Sequence, residues 1–136
     1  MTPDYFRRLV DEALATIPPE FRNAMRNMAI VIEQEPSTAQ LADVGIEPPD
    51  TLLGLYEGTP LTERGWSESG TLPDKITLFR GPIEDASADE DELVVTIGET
   101  LIHEIGHYFG LSEEEIEDIE ERYWRGEEWA DEEPGA

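Results

Sequence analysis

One stretch of this chain constrains the fold more than any other. Leu93, Val94, Ile97, Leu101, Ile105 and Tyr108 recur at three- and four-residue intervals, the spacing that lays apolar side chains along one face of an α-helix. A chain of 136 residues supports one core, not two, so such a helix has to be the spine on which the other elements gather. Gly110 stands after the stripe, where a helix ends in a left-handed residue. Ser87 with Glu90 has the spacing of a capping box in front of it. The chain has 2 histidines, His103 and His107, and both lie inside this helix.

Elsewhere the patterns are shorter. Residues 3–15 read as a helix, with Tyr5 or Phe6, Leu9, Val10, Ala13 and Leu14 on one face and Pro18-Pro19 as its end. Residues 27–33, centred on Ile30, Val31 and Ile32, make a buried-strand pattern closed by Pro36. Residues 37–50 look loop-like or weakly helical. A second strand is expected over 52–57, a turn at Gly58-Thr59-Pro60, a loop over 62–73 and a third strand over 75–80. Ser112 with Glu115 repeats the capping-box spacing and predicts a last helix over 113–125, with Ile116, Ile119 and Tyr123 inward and Gly126 at its end. One domain over 1–126 is expected, then a frayed acidic tail over 127–136, with Trp124 and Trp129 available to pack back onto the body.

Composition removes several function classes. The net charge is −24, from 33 acids against 9 bases, so phosphate backbones and anionic membrane surfaces are disfavoured partners. The charge suits either basic partners or a solvated surface tuned to a salty cytoplasm, and the second is the simpler reading. The chain has no cysteine, which excludes disulfides, thiolate nucleophiles and Cys-ligated metals. Acids interrupt the N-terminal segment, which has the pattern of neither a secretory signal nor a membrane anchor. A cytoplasmic protein, monomeric or weakly oligomeric, is the expectation.

The chemistry is concentrated in His103-Glu104-Ile105-Gly106-His107, an H-E-x-x-H motif within the spine helix. Four residues advance a helix by about 400°, so the two imidazoles sit one above the other and can direct nitrogens at one Zn²⁺. Glu104 is rotated by about 100°, beside that face, where a carboxylate can deprotonate a zinc-bound water without being a ligand. A catalytic zinc usually has three protein ligands and an open position. With no further histidine, the third must be a carboxylate or a neutral oxygen. Glu113 leads, because Gly110 lets the chain turn back towards the metal. Glu114 and the carboxylates of 117–121 come next, with Glu127 and Glu128 behind them. Glu113, Glu114 and Glu115 also suit the N-terminus of a helix electrostatically.

The run HEIGHYFGLSE resembles the H-E-x-x-H-x-x-G-x-x-D pattern of the minimal zincins, short bacterial metallopeptidase-like proteins. The segments FRRLVDEALATIPPEF, LLGLYEGTPLTER and LPDKITLFRGPIE are similar to that family as well, so the likeness covers most of the chain except the loop after Pro36 and the tail. The resemblance implies an α+β domain, with a small twisted sheet of about three to four strands packed on an active-site helix and a C-terminal helix. It implies His103 and His107 as zinc ligands, Glu104 as base and Glu113 as third ligand, where the family pattern has aspartate. In zincins generally, the strand before the active-site helix lies at the sheet edge and pairs with an extended peptide. By that resemblance residues 75–80 would bind substrate here. Tyr56, Arg64, Arg80 and Tyr108 are candidates to stabilise an oxyanion, with structural roles the simpler reading of each.

The leading expectation is therefore a zinc metallopeptidase acting on a peptide or protein substrate, with activity broad or weak because so small a chain offers a shallow cleft. The rival is a zinc-bound, catalytically inactive binding or regulatory module, and behind it stands a metal-free interaction protein. Peptide deformylases need a cysteine ligand, and the single-strand ribonuclease family with this motif needs a third histidine. Neither fits.

Overall fold

The computed structural model describes residues 2–58 and 74–126. The expected loop over 62–73, the tail, Arg64, Glu127, Glu128 and Trp129 lie outside the described residues. Helix α1 (Pro3–Leu14) starts where the Thr2 side chain accepts from the Tyr5 amide, and it buries Phe6, Leu9, Val10 and Ala13. Pro18-Pro19 ends that run but also opens a helix the sequence pattern did not reveal, α2 (Pro19–Met25). Proline suits a first helical position, because its missing N–H is one the helix would leave unbonded. Strand β1 (Ala29–Glu33) follows. A short helix, α3 (Thr38–Asp43), then forms the start of the stretch read as loop-like or weakly helical, held by a capping box between Ser37 and Gln40.

Strands β2 (Gly54–Glu57) and β3 (Lys75–Phe79) complete a sheet of order β1-β3-β2. Strand β1 runs parallel to β3, with Ala29 opposite Lys75 and Glu33 opposite Phe79. Strand β2 is antiparallel, with Gly54 opposite Leu78 and Glu57 opposite Lys75. This corrects the expectation that 75–80 forms the edge strand: β3 is the centre of the sheet, and the edge beside the spine helix is β2. The reason is burial. Ile76, Thr77, Leu78 and Phe79 are all enclosed, as a strand covered on both faces and flanked on both sides must be. Arg80, assigned to the strand, instead begins α4 (Arg80–Asp85).

The spine is α5 (Glu90–Phe109), and it packs against α1, α2, α4, both β2 and β3, and α6 (Glu113–Trp124). Its N-cap is Asp89, whose carboxylate accepts from the Glu92 amide, and not Ser87. The Ser87 hydroxyl is engaged by the Ile83 carbonyl and the Thr96 hydroxyl. At the other end Gly110 adopts φ 73°, and the Leu111 amide reaches back to the Gly106 carbonyl, which turns the chain sharply. Two residues later the Ser112–Glu115 capping box starts α6, as expected. The core joins Phe6 and Val10 of α1, Phe21 of α2, Ile76 and Leu78 of β3, and Ile97, Leu101 and Ile105 of α5. Trp124 stays 61% exposed and does not pack back. No helix among the described residues is long and apolar enough to cross a membrane.

Helices α5 and α6 meet through two glycines. A Cβ at Gly106 would lie 2.7 Å from Ile116 Cγ1, and one at Gly98 would fall on the Tyr123 phenol. Substituting alanine at Gly98 is expected to destabilise the protein by about 1–3 kcal/mol in denaturant titrations, despite the better helix propensity of alanine. In a Tyr123→Ala background the same change should become neutral or stabilising by up to about 1 kcal/mol. Equal costs in both backgrounds would mean that this contact does not set the helix separation.

Candidate metal centre

The imidazoles of His103 and His107 project from one face of α5, with ring centroids 4.8 Å apart and planes at 76°. Gly110 and the capping box then deliver the first residue of α6, Glu113, onto the same spot. Its Oε1 lies 3.4 Å from His107 Nε2, and its Oε2 lies 3.9 Å from His103 Nε2. Ligand atoms each about 2.0–2.1 Å from a tetrahedral zinc stand roughly 3.3–3.5 Å from one another; the His107–Glu113 separation matches that spacing and the His103–Glu113 separation is longer. Two imidazole nitrogens and a carboxylate are a donor set that zinc accepts, and His103, Glu104 and His107 offer ligand atoms within 4.8 Å of one another. The residues fit a divalent metal.

Glu104 is placed differently. It is 7% exposed, and its Oε1 accepts a 2.9 Å hydrogen bond from the Tyr56 amide of β2 while lying 3.6 Å from His107 Nδ1. Gly54 makes this approach possible: a Cβ there would sit 2.6 Å from Thr100 Cγ2 and 3.4 Å from Glu104 Cγ. The strand thus lies directly against α5, and a backbone donor of the sheet grips the carboxylate.

Glu120 of α6 completes the arrangement. Its Oε1 lies 2.9 Å from His103 Nδ1. With a carboxylate accepting there, the proton of neutral His103 resides on Nδ1, and Nε2 keeps its lone pair for a metal. The sequence reading included Glu120 only within the 117–121 cluster, as a reserve ligand. The structure puts it behind the histidine. A signal was present: Glu120 is four residues after Ile116, on the inward stripe of α6.

The other candidates separate cleanly. The Tyr56 hydroxyl donates to Asp74 at 2.7 Å, and its ring meets Tyr108 edge-on at 6.1 Å. Tyr108 also packs against Phe109. The Arg80 guanidinium donates to the Gln34 side chain. Sequence reasoning missed the Tyr56 amide and Gly54 altogether, because neither backbone donors nor the need for a missing side chain leave a motif.

Both histidines have raised pKa values. For His103 the main cause is the Glu120 hydrogen bond, opposed by burial and aided by the charges of Glu104 and Glu113. For His107 it is the adjacent Glu104 carboxylate, again opposed by burial, with the charge of His103 also working against it.

Residues 25–123 match the family model described as zincin-like metallopeptidase. No curated protein matches the chain. Among solved structures, a conserved hypothetical protein from Thermo thermophilus is similar, with a TM-score of 0.52 and 21% identity over 80% of this chain and 94% of that one. At that identity the likeness concerns the fold alone.

The histidine shifts have opposite consequences with and without metal. Their folded pKa values lie above the unfolded value of about 6.5, so in metal-free protein protonated imidazoles contribute stability that is complete below about pH 6.5. It is lost as pH rises through the raised folded pKa. The difference in melting temperature between chelator-treated wild type and His103→Asn should follow that course. Zinc binding instead requires neutral imidazoles, so affinity should fall as pH falls, with proton uptake by buffer detectable in calorimetry. Glu120→Gln should weaken zinc binding by roughly 10–100-fold. An unchanged affinity would show that Glu120 does not support the metal site.

Proposed function

The chain belongs to the zincin-like metallopeptidase family, and from that premise we propose that it is a zinc-dependent hydrolase of peptide bonds. In this reading His103, His107 and Glu113 hold the metal and Glu104 is the general base. The observation that carries it is the division of labour among four side chains. Glu113 oxygens lie 3.4 and 3.9 Å from the Nε2 atoms of His107 and His103, while Glu104, grouped with the two histidines, is also gripped by a backbone amide. A purely structural zinc would close its fourth position with another ligand and would have no use for a separately held carboxylate.

Zinc bound at this site supplies a Lewis acid that polarises the scissile carbonyl and makes water more acidic. The chain's own residues do the rest. The Tyr56 amide fixes Glu104 Oε1, which orients the other carboxylate oxygen to take a proton from the attacking water and deliver it to the leaving amine. Glu120 holds the His103 ring so that Nε2 faces Glu113. Strand β2 is an edge of the sheet, the one that lies against α5. The Phe79 amide donates to the Leu53 carbonyl, so alternation along the antiparallel pair turns the backbone groups of Gly54 and Tyr56 away from β3 and outward. An extended peptide pairing there would run past Glu104, and pairing through backbone groups brings little sequence selectivity. The cysteine-free, acidic chain suits a cytoplasmic setting.

Replacing Glu104 by Gln keeps the shape of the side chain and removes the base. The variant should retain about one equivalent of zinc by elemental analysis while turnover of an unfolded protein substrate falls by roughly 10²–10⁴-fold. Cleavage that survives the substitution would remove Glu104 from the mechanism. Zinc-loaded wild type that cleaves no peptide at all would leave a zinc-bound binding module as the function.

A further inference from the structure

Beside the metal centre lies an open cavity of about 310 Å³, lined by α5, α6 and the segment leading into β2. His103 and Glu104 form part of its wall, so the cavity adjoins the candidate reacting groups. Leu52 and Leu53 supply apolar surface, and Glu99 and Glu120 supply carboxylates. The volume is at the small end of the range for ligand pockets and suits a single side chain.

Glu99 is the informative member. It precedes His103 by four residues, so it stands one helical turn away on the same face of α5. Glu120 is committed to the His103 ring, and Glu104 to the Tyr56 amide. Glu99 is half-buried, and among the described residues it has neither a hydrogen bond nor an ion pair. Burial raises its pKa, and the charges of Glu120 and Glu92 add to the effect. A carboxylate kept partly out of water, beside another negative charge and with no counterion, is an arrangement that an incoming cation relieves. Leucines around it fit the methylene stem on which such a cation is carried.

The geometry points to Glu99 as a specificity-determining residue, which directs the cleavage proposed above towards substrates carrying a positively charged nitrogen beside the scissile bond. The inference rests on the peptidase reading. A lysine or arginine side chain and a free N-terminal ammonium share the required chemistry. The apolar wall favours the side chain, because an α-amino group brings no stem of its own.

The test uses the full-length, zinc-loaded protein and peptides that differ only in having lysine or its uncharged isostere norleucine beside the cleavage site, each with a free or an acetylated N-terminus. Lysine peptides should show a kcat/KM higher by about tenfold or more, expressed mainly in KM and independent of acetylation. A preference that follows the free N-terminus alone would overturn the side-chain assignment. Glu99→Gln should bring the lysine peptide down to the norleucine value, and Glu99→Lys should turn the preference towards glutamate. A lysine preference that persists in Glu99→Gln belongs to the acidic surface as a whole and overturns the proposal. Binding to the Glu104→Gln variant by calorimetry keeps the test independent of turnover. There the lysine peptide should bind about tenfold more tightly than the norleucine peptide, and equal affinities would overturn the proposal. If no peptide is cleaved yet lysine peptides bind selectively, the peptidase reading fails and the pocket stands.

Discussion

The architecture depends on how closely α6 lies against α5. Gly98 and Gly106 open two gaps on the spine helix, and Tyr123 and Ile116 of the antiparallel partner fill them. Between those contacts His103 faces Glu120. A wider separation would carry Glu120 out of reach of the ring and leave the histidine free to rotate. The glycines themselves have no chemistry, yet they set the distance at which the chemistry becomes possible. The core supports this from the other side, since Ile97, Leu101 and Ile105 anchor α5 against α1 and β3.

Because the helices are antiparallel and joined by a tight left-handed turn, the candidate ligands and their supports come from a single helical hairpin. His103, Glu104 and His107 lie on its first arm, and Glu113 and Glu120 on its second. The sheet contributes one donor, the Tyr56 amide, and the strand edge beside it. Histidine protonation and metal capture therefore compete within one small unit. The carboxylates that favour protonated imidazoles are the same groups that would orient the rings and balance the charge of a bound cation.

Much of this was legible in the sequence, for identifiable reasons. The α5 stripe, the H-E-x-x-H spacing, Gly110 and the Ser112–Glu115 capping box are local signals read at fixed offsets, and the structure has each of them. The α+β class followed from the family likeness. What failed depended on the third dimension. Pro18-Pro19 read as a stop because proline breaks a preceding helix, but the same residue starts the next one. Ser87 lost the N-cap to Asp89, whose charged oxygen is the stronger acceptor. The edge assignment of 75–80 came from the zincin resemblance and its strand-before-helix rule, which does not fix which neighbours flank a strand in this chain. Glu99 had no motif. Its isolation is visible only once the partners of the surrounding acids are known.

One consequence follows from the Tyr56 amide. An exposed strand edge normally offers every outward N–H to a visiting chain, but here one rung of that ladder is already occupied by a side chain of the molecule itself. A visitor must dock with one fewer tether, so its hold is looser and its departure faster. The occupied rung also makes the edge a poorer template for stray β-strands. Grip is traded for a carboxylate held permanently in place beside His107.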